Sequence, residues 1–225
     1  APHGRHPETQ RYAELRRAID RAAAAFAALG VRGGDVVALF AENGPRWLVA
    51  DQAVMRLGAA DSVRGAAAPP EELAYIAAHS RASGLIFQDA AAFVRSAPAL
   101  LRAREAAAAT TTAAAADDDE AGGDGAQGAP SPFVPPLSAP KFVVLLWGGK
   151  AGGGGKDGEA ASAAARALGV PRGALLTYAQ LKALGGRASP VPPPPPPGAP
   201  AALATGVYPS GTTAARPKGS PLTHA

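Results

Sequence analysis

The sequence contains no cysteine. Disulfides, thiolate metal sites and cysteine nucleophiles are therefore excluded, and the absence is compatible with a reducing compartment. Aromatic residues make up 5% of the chain and methionine occurs once, so large anchoring side chains are few. Alanine supplies much of the 47% apolar content. No apolar run approaches the roughly 20 residues that a membrane-spanning helix needs. The net charge is +4 and the pI about 9.7. Its lysines and arginines are scattered, with no stripe and no interleaved aromatics, which fits a mildly basic protein rather than a nucleic-acid binder. No secretory leader is visible; the chain begins with Ala1 rather than Met, so a removed targeting segment stays open.

Glycine (27 residues) and proline (23) are in excess, and the excess is concentrated in a few segments. That points to insertions in an ordered domain rather than disorder throughout. Residues 12–29 read as an amphipathic helix. Leu15, Ile19, Ala22, Phe26 and Leu29 fall on one face, and Gly30 supplies the stop. Val36 to Phe40 is a continuous apolar run, as in a strand buried on both faces of a parallel sheet. Pro45 sits well at the first position of a second helix carrying Trp47, Ala50, Val54 and Leu57, which Gly58 ends. A third helix starts at Pro69-Pro70-Glu71-Glu72, with its acids at the positive end of the helix dipole. Gly84 to Phe87 is the next strand, and a further helix fits about 90–105. Strand and helix alternate at lengths suited to βαβ units, so residues 10–105 read as the start of a doubly wound α/β domain.

Residues 106–140 break the pattern with alanine and threonine runs, Asp117-Asp118-Asp119-Glu120 and a Gly/Pro-rich stretch. A solvated linker accounts for them better than a metal site, since no ordered scaffold surrounds the acids. Lys141 to Trp147 resumes as a buried strand. The glycine-rich stretch 148–158 is not a Walker A loop: Lys150 occupies the required first glycine position, and Asp157 follows Gly155-Lys156 where Ser or Thr is needed. A short helix fits 159–168, and Leu175 to Tyr178 leads into another through Leu181 and Leu184. Residues 190–200 hold six consecutive prolines, Pro192 to Pro197, which favour an extended spacer. Residues 201–208 form a last strand that delivers the segment Tyr208-Pro-Ser-Gly-Thr-Thr-Ala-Ala-Arg-Pro-Lys-Gly-Ser-Pro-Leu-Thr-His-Ala225. Its hydroxyls, backbone N–H groups and Lys218 suit a polyphosphate, which presents many acceptor oxygens and several negative charges. Trp47, Trp147 and Phe26 lie in apolar periodic segments and read as core. His79 reads as a cap or surface residue, His3 and His6 lie near the terminus, and no Ser/His/Asp set can be assembled.

Together these segments resemble the N-terminal part of the AMP-forming acyl-activating enzymes, the adenylate-forming superfamily. Tyr12-Ala-Glu-Leu15 with Leu29-Gly-Val-Arg-Gly-Gly-Asp-Val-Val-Ala-Leu39 looks like that family's opening helix and strand, and Glu42-Asn-Gly-Pro-Arg-Trp47 like its next helix start. Tyr208-Pro-Ser-Gly-Thr-Thr213, Pro217-Lys-Gly219 and Leu222-Thr-His224 look like its phosphate-binding signature. Ala50-Asp-Gln52, Asp61-Ser-Val-Arg-Gly65, Pro70-Glu-Glu-Leu73, Tyr75-Ile76, His79-Ser80 and Leu145-Leu-Trp-Gly148 are similar to the long-chain acyl synthetases of plant and algal plastids. The resemblance implies an α/β fold, the incomplete N-terminal part of the adenylate-forming synthetase fold: a mostly parallel sheet flanked by helices, with low-complexity insertions. The expected organisation is an α/β segment at 1–105, a linker at 106–140, the continued domain at 141–185, a Pro-rich linker at 186–200, and a strand with the phosphate loop at 201–225.

The implied activity is that of a long-chain fatty acid ligase. A fatty acid is activated with ATP and Mg²⁺ through an acyl-adenylate, and the acyl group passes to coenzyme A or an acyl-carrier protein. Ser210, Gly211, Thr212, Thr213, Lys218 and Gly219 would hold the ATP phosphates, and no metal-ligating residue is assigned. The implied location is the plastid, otherwise the cytoplasm, with peripheral membrane association left open. The loop departs from the family pattern in two ways. Three residues, Ala214, Ala215 and Arg216, separate the threonine pair from Pro217 where the family has two, the first usually glycine. Pro209 replaces the family's usual threonine, removing a hydroxyl and an N–H. The family's adenine and ribose contacts, magnesium-binding acid, acyl pocket and mobile lysine correspond to positions after residue 225, so the expectation is a fragment inactive alone. The competing readings are a non-catalytic scaffold or interaction protein derived from the same half, and a small nucleotide-binding module that uses the terminal loop alone.

Overall fold

The computed structural model describes residues 11–114, 137–148, 156–191, 203–208 and 219–223. Its elements are α1 (Tyr12–Ala28), β1 (Val36–Phe40), α2 (Pro45–Met55), β2 (Ala60–Arg64), α3 (Pro70–His79), β3 (Gly84–Phe87), α4 (Ala90–Ala114), β4 (Val143–Leu145), α5 (Lys156–Ala167), β5 (Leu175–Thr177), α6 (Tyr178–Gly185), β6 (Leu203–Val207) and β7 (Ser220–Thr223).

Local chemistry sets the element ends. The Arg11 N–H donates to the Glu14 carboxylate, which closes the first turn of α1. Gly30, at φ +92°, turns the chain out of α1 toward β1. The Asp89 carboxylate accepts from the Ala92 N–H at 2.8 Å and caps α4. At α6 the Thr177 hydroxyl accepts from the Gln180 N–H, and the Gln180 side chain accepts from the Thr177 N–H, a reciprocal capping box.

The strands form one seven-stranded sheet in the order β5-β4-β3-β1-β2-β6-β7. Every neighbouring pair is parallel except β6 and β7. α1 packs on α2 and α6, while α3 packs on α4 and α4 on α5. The core runs through the sheet, from Phe26 of α1 to Leu176 of β5, and is built on Phe26, Phe40, Phe87, Phe93 and Phe142 with many alanines. The few aromatics are therefore placed against one another: Phe26 meets Phe142 at 5.5 Å and Phe87 meets Phe93 at 5.3 Å between ring centroids.

The doubly wound α/β reading of the sequence holds. The strand expected at 141–147 is shorter, Val143–Leu145. The helix expected to end near 105 runs to Ala114, and its internal Pro98 does not end it. Leu137, placed in the linker by composition, is buried in the core. Two strands, β2 and β7, had no counterpart in the sequence reading. The acidic run 117–120, most of the glycine-rich stretch and prolines 192–197 lie outside the described residues.

Candidate functional site

All six parallel strands point their carboxyl ends to one edge of the sheet, where open α/β sheets take their ligands. The order of β2, β1 and β3 creates a switch point there, since the chain leaves β1 in one direction for β2 and returns past it to β3. Contacts between the loops cross the edge at that point. The Glu42 N–H donates to the Gln88 side-chain oxygen at 2.9 Å, which ties the loop after β1 to the loop after β3. Arg46 donates to the Leu146 carbonyl at 2.5 Å. Its guanidinium lies 5.9 Å from the Trp147 ring centroid and 5.1 Å from that of Tyr178. Burial pushes the Tyr178 pKa up, against the opposing pull of the Arg46 charge. Phe26 is core as expected, whereas Trp47 and Trp147 pack against the core while staying partly exposed, Trp147 beneath Arg46.

The other opening on this edge lies at β6. β6 is parallel to β2 with Val63 opposite Val207, and β7 returns antiparallel with Ser220 opposite Val207. The chain between them, which holds Ser210, Gly211, Thr212, Thr213 and Lys218, lies outside the described residues, as does His224. Gly219 is described and exposed. The two ends of the loop are thus held side by side by the ladder. Tyr208 is buried at the first end, and its ring covers Gly219 at the second: a Cβ on Gly219 would stand 3.0 Å from Tyr208 Cζ. The nearest described cation on β2 is Arg64, whose charge is committed to Glu72 at 2.6 Å.

Two features here escaped the sequence reading. His79, expected as a cap or surface residue, is exposed at the end of α3, but its Nδ1 lies 3.0 Å from the Tyr208 hydroxyl. Its ring stacks on Tyr75 at 5.3 Å and meets Tyr208 edge-on at 5.9 Å. Burial, and next the neighbouring Tyr75, push the Tyr208 pKa up to about 12, so its hydroxyl keeps its proton. The second feature is Asp61 on β2, which is fully buried, with no hydrogen bond of standard geometry to either carboxyl oxygen. Burial, and next the Asp51 carboxyl of α2, push its pKa up to about 8. Only periodicity could have signalled it, and an Asp-Ser pair masks the apolar period of a buried strand. Among the described residues no group of three His, Asp or Glu side chains is arranged to hold a metal ion.

The model of the AMP-binding enzyme family matches residues 3–225. The chain is 31% identical over 147 residues to the chloroplastic "Probable acyl-activating enzyme 16" of Arabidopsis thaliana, covering 65% of this chain and 16% of that protein. It is 38% identical over 86 residues to a chloroplastic long-chain-fatty-acid–[acyl-carrier-protein] ligase of the same plant, covering 38% of this chain and 12% of that protein. It therefore spans less than a fifth of the length of either relative. The A domain of a carboxylic acid reductase from Segniliparus rugosus, solved with AMP and a carboxylic acid, superposes with a TM-score of 0.61. That match covers 96% of this chain and 29% of the other at 18% identity, a likeness of fold.

Proposed function

The chain belongs to the AMP-binding enzyme family, and on that premise we propose that it supplies the phosphate-gripping part of a plastid ligase for long-chain fatty acids. In the reaction the fatty carboxylate oxygen attacks the α-phosphorus of ATP. The bond between the α-phosphorus and the bridging oxygen breaks, and pyrophosphate leaves with the electron pair. A thiol, of coenzyme A or of an acyl-carrier protein, then attacks the acyl carbonyl of the mixed anhydride, and AMP leaves. The first step brings two anions together and expels a third. It needs donors and positive charge fixed around the β- and γ-phosphates, where charge develops on the leaving group.

This chain's contribution is that grip. The hydroxyls of Ser210, Thr212 and Thr213, the N–H groups around Gly211 and Gly219, and the Lys218 ammonium bind the phosphate oxygens and stabilise departing pyrophosphate. Mg²⁺, which the family resemblance implies, would add charge neutralisation, and among the described residues no group of three His, Asp or Glu side chains is arranged to hold it. The observation that carries the reading is the β6–β7 hairpin. It opens at the carboxyl edge of a parallel sheet, two strands from β1 at the switch point. The ligase name of one plastid relative supports the fatty acid, the thiol acceptor and the compartment.

Calorimetric titration of the chain with ATP tests the grip. Binding is expected to follow the phosphates, with adenosine silent, and Lys218→Ala is expected to weaken ATP binding about tenfold or more, as for loss of a charge-assisted hydrogen bond. No heat at millimolar ATP overturns the reading.

A further inference from the structure

Two carboxyl groups meet beneath α2, and the phosphate chemistry uses neither. Asp61 of β2 is 0% exposed, and Asp51, on the buried face of α2, is 5% exposed. Asp51 accepts a hydrogen bond from the neighbouring Gln52 amide at 2.9 Å. Asp61 accepts none of standard geometry, yet the Asp51 carboxyl is within its hydrogen-bonding reach. Ionised carboxylates only accept, so a buried contact between two of them needs a proton on one.

Among the described residues, no neighbouring cation stands in for that proton. β1 and β6, which flank β2, carry no titratable side chain, and β6 brings only the Thr205 hydroxyl opposite Asp61. On α2, Arg46 donates to the Leu146 carbonyl, and Arg56, just past its end, binds Asp20 of α1. Elsewhere on α1, Arg16 also binds Asp20, Glu14 accepts from the Arg11 N–H, and Arg17 and Arg21 are exposed. On α3, Glu72 pairs with Arg64 of β2 and Glu71 with Arg102 of α4, while His79 stacks on Tyr75 and meets Tyr208.

We propose that Asp51 and Asp61 share a single proton and that the pair is a pH-sensitive latch, holding α2 on β2 while the proton is present and loosening it when the proton leaves. Burial, and next the Asp51 carboxyl, push the Asp61 pKa up to about 8, whereas the Thr205 hydroxyl favours the charged form. In water the same carboxyl ionises at 3.8. An opened α2 therefore gives up a proton that a closed one keeps. The latch is at full strength below pH 3.8 and weakens progressively as pH rises from there through about 8. Its effect reaches the carboxyl edge of the sheet, because α2 carries Arg46 to Trp147 and Tyr178.

Carbon-13 shifts of the aspartate carboxyls, followed with pH in the full chain and its variants, test the shared proton. The parent is expected to show an aspartate titrating near 8 that Asp61→Asn lacks. In Asp51→Asn the Asp61 titration is expected to fall by about one pH unit or more, because a neutral amide replaces a like charge and can itself donate. Asp51→Ser, smaller and also uncharged, is expected to shift it in the same direction and serves if the amide does not fit. An Asp61 titration unmoved by loss of the Asp51 charge overturns the shared proton, and so does an Asp61 that titrates near 3.8 in the parent. Amide hydrogen exchange tests the latch. After correction for intrinsic rates, protection of the α2 amides in the parent is expected to fall about tenfold per pH unit between pH 5 and 7, the slope for release of one proton. It is expected to level off above about 8, and in Asp61→Asn not to change with pH. Constant protection in the parent, or equal slopes in the two chains, overturns the latch.

Discussion

Asp61 is a carboxyl group with no access to water, placed between a helix and the middle of a sheet. Its proton is the cheapest way to remove its charge, because no cation or N–H of standard geometry reaches it. In the unfolded chain the carboxyl ionises at its ordinary 3.8, and in the fold it does so at about 8. The folded state thus holds a proton that the unfolded state gives up. The associated stability is fully present below pH 3.8 and is lost progressively as pH rises from there through about 8. Asp61→Asn removes the titration while keeping the shape. The variant is expected to match its parent near pH 4 and to gain on it by roughly 1 kcal/mol per pH unit between pH 5 and 8. Urea midpoints of the two chains at pH 4, 6 and 8 measure this; a constant difference across the three would refute the assignment. The effect could not be read from the sequence, where Asp61 stands in a polar stretch with no sign that both faces of its strand are covered.

At the scale of elements, packing between α1 and α6 depends on one missing methyl group. A Cβ built on Gly185, the last residue of α6, falls on the Arg21 carbonyl of α1, and backbone cannot rotate aside as a side chain can. Gly185→Ala is expected to cost about 2–3 kcal/mol, within the range of overpacked cores. The next residue is its control. A Cβ on Gly186 meets its nearest atoms at 3.5 Å, and its φ of −71° suits any residue. Gly186→Ala is therefore expected to change stability by less than about 1 kcal/mol, in the stabilising direction, by reducing unfolded-state freedom. Equal losses for the two in denaturant titrations would exclude the close approach. Neither glycine is distinguishable in the sequence, because the obstacle comes from a helix more than a hundred residues away. The elements themselves were largely legible: α1 from its apolar face, β1 and β3 as uninterrupted apolar runs, α2 and α3 from their opening prolines. β2 was not, since Ala60-Asp61-Ser62-Val63-Arg64 owes its strand state to parallel partners on both sides, β1 and β6. β7 was not either, since Ser220-Pro221-Leu222-Thr223 holds a proline, which only an edge strand tolerates. The site divided in the same way. The proposed phosphate donors, Ser210, Thr212, Thr213 and Lys218, fall close together in the sequence, whereas His79 meets Tyr208 across 129 residues.

Over the whole molecule, the low-complexity insertion enters and leaves at one place on the fold. α4 is packed against α3 and α5, and its Phe93 and Leu100 are fully buried. The chain comes back at Leu137, whose N–H points at the Ala103 carbonyl of α4 at 3.4 Å and whose side chain is buried in the core. Ala103 and Leu137, which flank residues 104–136, are therefore neighbours. Closing a loop costs entropy that grows only with the logarithm of its length, so a shorter connection between the same two points is slightly favoured. Replacing residues 110–133 with a glycine–serine bridge of about eight residues, long enough to return along the last turns of α4, is expected to preserve one cooperative unfolding transition. Stability is expected to rise by at most about 1 kcal/mol. ATP affinity is expected to stay within twofold of the parent, since the insertion joins α4 to β4 whereas the signature residues fall between β6 and β7, at the far side of the sheet from β4. Unfolding of the shortened chain in two steps, or a fall in midpoint comparable to that of Gly185→Ala, would mean that the insertion packs on the fold and belongs to its core.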